Sequence, residues 1–242
     1  MRGGRVRGHR VHGLGPLLAG AGKPPAVLPL TGDVEGVHDP AVIKEGATYY
    51  LFCTGGRPGA GVIPIRTSKD LRSWTLAGSV FETLPAWAAK EIPGARGAWA
   101  PDISFYSGKY HLYYAVSTFG GRNSAIGLAT NQALDAASPA YRWVDEGMVL
   151  RSFQDKGDWN AIDPNLFAEN PRSVTQRVWL NWGSFWDGIK MRRVDPRTGK
   201  LSTEDTKLYA LGQPVAHAAH RRCNRRAVSD QARRLFLPLR LL

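Results

Sequence analysis

The 242-residue chain has little of what usually sorts a protein quickly. It carries two cysteines, Cys53 and Cys223, far apart and in dissimilar settings, so no disulfide framework is expected. Cys53 falls inside the apolar run Tyr49–Thr54 and is expected to be a small buried hydrophobe. No apolar run approaches the roughly 18 residues that a membrane-spanning helix needs, so a soluble protein without a membrane partner is expected. The start of the chain lacks the unbroken apolar stretch of a secretory leader, because Gly15 and Pro16 interrupt Leu14–Leu18. Long stretches with apolar residues at helical spacing are also missing, so helices should be few.

Positive charge is plentiful, at a net +12, but the body of the chain does not carry it. Residues 1–30 hold five Lys/Arg and no acid, and residues 212–242 hold seven arginines and one aspartate. That leaves 20 basic and 19 acidic residues between them. A surface that tracks phosphates needs its charge on the folded domain, so a nucleic-acid partner is not expected. Residues 1–30, rich in Gly, Arg and Pro and without periodicity, read as disordered or as a processed basic leader.

Aromatic residues are abundant: eight each of Trp, Tyr and Phe. Many occur in short strands that follow aspartate-bearing turns. His38-Asp39-Pro40 precedes Tyr49-Tyr50-Leu51-Phe52; Trp99-Ala100-Pro101-Asp102 precedes Tyr110-His111-Leu112-Tyr113-Tyr114; Asn160-Ala161-Ile162-Asp163-Pro164-Asn165 precedes Val178-Trp179-Leu180-Asn181-Trp182. Asp39, Asp102 and Asp163 thus recur with a period of about 62. Repeats of this size built from short strands predict a β-propeller of four-stranded blades. Three blades fit between residues 31 and 211, fewer than the four to eight that close a ring. Strands are expected at Tyr49–Thr54, Ile103–Phe105, Tyr110–Ser117, Ala125–Ala129, Val178–Trp182 and Ile189–Val194, with a hairpin turn at Ser107-Gly108-Lys109. Trp74 and Trp143, each beside a polar turn, read as blade-packing residues.

A single Asp-Pro is explained well enough as a turn, since Asp bonds its local backbone and Pro fixes φ. Three at equivalent repeat positions would converge on a propeller axis. Carboxylates gathered in an aromatic-lined funnel suit glycosidic bond hydrolysis, where one acid protonates the leaving oxygen and one base activates water. Trp99 and Trp186 are suited either to stacking on sugar faces or to packing.

Five motifs occur in order: Gly36-Val37-His38-Asp39-Pro40, Trp99-Ala100-Pro101-Asp102-Ile103, Ser124-Ala125-Ile126-Gly127-Leu128, Asn160-Ala161-Ile162-Asp163-Pro164 and Gly183-Ser184-Phe185-Trp186-Asp187-Gly188-Ile189. Together they resemble glycoside hydrolase family 43, and within it the endo-acting α-1,5-L-arabinanases, from about Thr31 to Tyr209. The resemblance implies an all-β, five-bladed propeller that cleaves arabinan with inversion. It implies that Asp39 is the general base and that Asp163 is the third carboxylate, which tunes and orients the acid. Asn160, Ala161, Ile162, Ser184, Phe185 and Trp186, together with Trp99 and Gly120, would line the sugar subsites. Asp102 has no catalytic role in the family and is expected to be structural. A calcium ion held partly by a histidine is common in similar proteins, but the matching histidine would lie in a later blade, so no metal ligand is assigned here. Arabinan is a large extracellular polymer, so a secreted or periplasmic full-length protein is expected, and a monomer.

The general acid should be a glutamate in the fourth blade, in an Ile-Glu-(Gly/Ala)-Pro motif, yet no glutamate follows Glu204. From about Leu211 the texture turns Arg- and Leu-rich, and residues 212–242 read as an out-of-frame tail. Codons for Asn224 to Leu242 exist that, read one base forward, encode Ile-Glu-Gly-Pro followed by another aromatic strand. The recovered glutamate would fall near position 225, about one repeat beyond Asp163. A one-base frameshift between Tyr209 and Asn224 is therefore expected, and the nucleotide sequence decides it: no Ile-Glu in the shifted frame removes the idea. The chain as it stands is expected to be catalytically impaired. Three alternatives remain: an exo-acting α-L-arabinofuranosidase or β-xylosidase, a non-catalytic carbohydrate-binding relative, and a plain protein-contact propeller.

Overall fold

The computed structural model describes residues 28–55, 59–169 and 177–212. The expected leader over residues 1–27, the tail from residue 213 and the awaited acid position near 225 lie outside them. Strand follows strand in meanders. β1 (Thr31–Gly32), β2 (His38–Glu45), β3 (Thr48–Thr54), β4 (Val62–Ser68) and β5 (Ser73–Phe81) form a first sheet in the order β1-β5-β4-β3-β2. A short helix, α1 (Ala86–Glu91), leads to β6 (Trp99–Tyr106), β7 (Lys109–Ser117), β8 (Ser124–Asn131) and β9 (Val144–Ser152), the second sheet. β10 (Asn165–Ala168), β11 (Val178–Ser184), β12 (Gly188–Val194) and β13 (Tyr209–Gly212) form the third. Within each sheet successive strands pair antiparallel; only the two-residue β1 runs parallel to its neighbour β5. Of the first long strands of the three sheets, β6 touches both β2 and β10. These are three propeller blades meeting along their inner strands. The expected strands all occur, and the Ser107-Gly108 turn joins β6 to β7.

The blades are held face to face by side chains that alternate along each strand. Leu112, Tyr114 and Val116 of β7 join Tyr50, Phe52, Ile63 and Ile65 of the first blade in one buried cluster. Tyr113, between them in sequence, points the other way, into a cluster with Leu166, Val178, Leu180 and Trp182 of the third blade. Every residue of β8 is buried, because the middle blade is covered on both faces. Trp74 is buried beside Leu51 and Cys53, and Trp143 meets Phe52 edge-on with ring centroids 5.7 Å apart. Cys53 is a free, fully buried thiol as expected, and Arg66 donates to its Sγ at 3.1 Å.

One expectation about the repeat needs correction. The three residues at matching positions are Asp39, Ala100 and Asp163, not Asp39, Asp102 and Asp163. Each of the three precedes a proline and has left-handed backbone, with φ of 49°, 41° and 53°. The residue before a proline normally takes an extended conformation, and non-glycine residues seldom enter the left-handed region. Such a conformation costs on the order of 1–3 kcal/mol and tends to persist where function requires it. Beside the first two, the strand pairing slips, between His38 and Ala41 and between Trp99 and Asp102. Asp102 therefore lies two residues further along, inside β6 rather than at a turn.

Asp102 ties blades two and three together. Its carboxylate accepts the Leu166 N–H at 2.7 Å and the Asn165 side-chain amide at 3.3 Å. Burial pushes its pKa up to about 6, against the opposing pull of those two bonds. Asp102→Ala is expected to cost about 1–3 kcal/mol in urea unfolding, since the Leu166 N–H loses its partner. A carboxyl whose pKa is raised in the folded state favours the folded state most while protonated. Its contribution is complete below about pH 4 and is lost as pH rises through about 6. Wild type should therefore lose stability relative to Asp102→Asn across that window. Water still reaches part of the residue, so the difference should be a fraction of what complete burial would give. Parallel pH curves for the two proteins would remove this account.

Candidate active site

The antiparallel meander brings the starts of β2, β6, β8 and β12 and the ends of β3, β7 and β11 to one edge of the three blades. The residues singled out in the sequence gather along that edge. Asp39, the second residue of β2, has one carboxylate oxygen held twice. Thr54 Oγ1 donates to Oδ2 at 2.7 Å, and His38 Nδ1 lies 2.7 Å from the same atom. Oδ1 has no hydrogen-bond partner among the described residues.

Asp163 sits in the bend before β10. Its pKa is pushed up to about 6, first by desolvation and then by the negative charge of Asp39, with His38 acting in the opposite direction. More than a third of Asp163 is reachable by water, which weakens the desolvation part. The repulsion from Asp39 follows from two carboxylates sharing one space, and it places residues 124 positions apart at a single site. Among the described residues, Asp39 and His38 are the side chains whose charge moves Asp163.

The turn carrying Asp163 is braced from below. Asn160 is buried; its side-chain amide donates to the Gly121 carbonyl at 3.3 Å. Ala161 is fully buried and its N–H donates to Ser152 Oγ at 3.0 Å. Both residues shape the turn, while Ile162 is half-buried and its carbonyl accepts the Gly183 N–H at 2.9 Å. Ser184, at the end of β11, has a buried hydroxyl with no hydrogen-bond partner among the described residues. Phe185 and Trp186 follow on the β11–β12 turn as an exposed stacked pair, centroids 5.1 Å apart. Gly120 is exposed at the tip of the β7–β8 hairpin with φ of 85°. Trp99 opens β6 beside Ala100 and is half-buried.

Thr54, Ser152 and Arg122 were not found from the sequence. The Arg122 guanidinium lies 5.1 Å from the Trp186 ring centre and also bonds the Gly157 carbonyl, the Gln154 carbonyl and Asp158. It pins the hairpin of blade two to the aromatic pair of blade three. Thr54 and Ser152 end strands and Arg122 lies in the β7–β8 turn, and such positions do not reveal partners. A surface hollow of about 610 Å³ lies elsewhere, lined by Gly61, Val62, Gly78, Ser79, Glu82 and Arg96 among others. Its lining includes neither an aromatic ring nor a second acid. No group of three His, Cys, Asp or Glu able to hold a metal occurs among the described residues.

Blades that turn two carboxylates and a stacked aromatic pair onto one axial face define a β-propeller of the glycosidase type. The profile described as Glycosyl hydrolases family 43 matches residues 34–221. The chain belongs to that family, whose fold is the five-bladed propeller; three of its blades are described here. It is 44% identical over 160 residues to the extracellular exo-α-(1→5)-L-arabinofuranosidase ArbA of Cellvibrio japonicus, covering 66% of this chain and 44% of that protein. It is 41% identical over 165 residues to the extracellular endo-α-(1→5)-L-arabinanase 1 of Bacillus subtilis, covering 68% and 48%. Among solved structures, a Cellvibrio cellulosa α-L-arabinanase complexed with arabinohexaose superposes with a TM-score of 0.66 at 40% identity, over 73% of this chain and 53% of that one. The chain spans about half the length of the curated relatives it matches.

Proposed function

We propose that this chain forms the base-bearing part of an inverting hydrolase of α-1,5-L-arabinan, and that the cut falls within the polymer. The observation that carries the reading is the convergence of Asp39 and Asp163 on one face through matching left-handed, pre-proline positions of blades one and three. Asp39 takes a proton from water through its unbonded Oδ1, and the water attacks the anomeric carbon opposite the departing oxygen. Asp163 holds negative charge where the protonated acid should stand, which keeps that acid's proton in place. Phe185 and Trp186 offer a flat apolar surface to arabinose rings, while the Ser184 hydroxyl and the Gly120 tip border the sugar path. Residues 31–211 act as the propeller part of this enzyme. The extracellular relatives and a polymeric substrate support export.

The test uses debranched arabinan together with an aryl α-1,5-arabino-oligosaccharide, with products followed by chromatography and NMR. Oligosaccharides with inverted anomers are expected. Arabinose alone would favour the exo-acting alternative, to which a similar relative's name also points. Binding of arabino-oligosaccharides without cleavage of the aryl substrate would support the non-catalytic reading and remove the hydrolase.

A further inference from the structure

Thr54 ends β3 directly opposite His38. Its Oγ1 accepts the Ala100 N–H at 2.9 Å and lies 2.7 Å from Asp39 Oδ2. A hydroxyl has one proton and an ionised carboxylate can only accept. With the amide donating to Oγ1, the hydroxyl proton is turned toward Asp39. The amide belongs to Ala100, the second blade's counterpart of the two aspartates. The blade that lacks a carboxylate at this position supplies its N–H instead.

We infer that Thr54 is a positioning residue for Asp39, taking its orientation from the Ala100 N–H of blade two and fixing the carboxylate of blade one against the seam between them. The inference rests on Asp39 being the base. A base must hold its free oxygen toward the water it activates, and a carboxylate at the start of a strand would otherwise rotate. His38 grips the same Oδ2, but its side chain is 76% exposed and supplies a looser hold. The other titratable groups around Asp39 are Asp163, which it repels, and the Cys53 thiol on β3, which also feels its charge.

Thr54→Val keeps the shape and removes the hydroxyl, whereas Thr54→Ser keeps both bonds. With an aryl α-1,5-arabino-oligosaccharide, the Val variant is expected to lose about ten- to a hundredfold in kcat with little change in KM, and the Ser variant to recover it. In an Asp39→Asn background, Thr54→Val should have no further effect, since it acts through the missing carboxylate. A role in stability alone would lower the unfolding midpoint without this split, and the two losses would add. A second measurement needs no turnover: the carboxyl ¹³C titration of Asp163. Its midpoint near 6 should fall in Thr54→Val, because a released Asp39 turns away and repels it less. It should stay in place in Thr54→Ser. An unchanged midpoint together with an unchanged rate in Thr54→Val, or additive losses with Asp39→Asn, overturns the inference. Asp39→Asn without effect on hydrolysis overturns the assignment of the base and leaves the wiring to be read from the Asp163 midpoint.

Discussion

Trp182→Ala is expected to destabilise the protein by about 3–5 kcal/mol, read from urea unfolding followed by far-UV circular dichroism. Trp182 lies on β11 and is 2% exposed. It sits in the cluster that joins Tyr113, Ile126 and Leu128 of the second blade to Leu166 and Leu180 of the third, and it meets Trp159 edge-on at 5.6 Å. Removing the ring leaves a cavity at the seam between the blades, where two flat sheets cannot collapse to fill it. A loss of this size is a large share of the roughly 5–15 kcal/mol that a domain has in total. Trp182→Phe separates packing from polarity. The indole N–H is buried without a hydrogen-bond partner among the described residues, so phenylalanine gives up some contact but relieves that orphan donor. Its cost should stay under about 1.5 kcal/mol. Equal losses for the two variants would mean that the seam is not held by this ring.

The second large effect concerns rate. Asp39→Asn should lower hydrolysis of an aryl arabino-oligosaccharide by about 10²–10⁴-fold, the usual contribution of a positioned base. The substrate matters because it separates the base's contribution from the acid's. A phenolate with a low pKa departs without being protonated, so the reaction reports the base and does not wait on an acid. Asn preserves the shape of Asp39 and can still accept from Thr54, so a loss reflects the missing base and not a collapsed site. In Asp39→Ala, which vacates the carboxylate's space, azide or formate should restore part of the rate. Undiminished turnover in Asp39→Asn would remove Asp39 from the mechanism.

Much of this was legible in the chain. Aromatic strands, turn residues and a repeat of about 62 predicted blades, because alternation and turn chemistry are local properties that neighbouring residues impose on one another. Composition separated the basic ends from the nearly neutral body. The Asn160–Asn165 stretch marked Asp163, and His38-Asp39-Pro40 marked its partner. The aromatic pair Phe185–Trp186 also lies on the edge that the motifs implied. By itself the sequence determined that aspartates recur with a period of about 62 among short aromatic strands.

Which residues are equivalent was decided only in three dimensions. In the second blade the matching position is Ala100, since the left-handed turn before Pro101 and the slipped pairing after Trp99 move Asp102 two residues on. A spacing of 63 or 61 cannot distinguish the two, because a bulge changes register without changing residue type. Asp102 then found its partners in Asn165 and Leu166, more than sixty residues away. Thr54 bonds Ala100 at a separation of 46, and Arg122 reaches Trp186 across a blade boundary. Contacts of that kind depend on how neighbouring blades pack, and no pattern along a single strand records them.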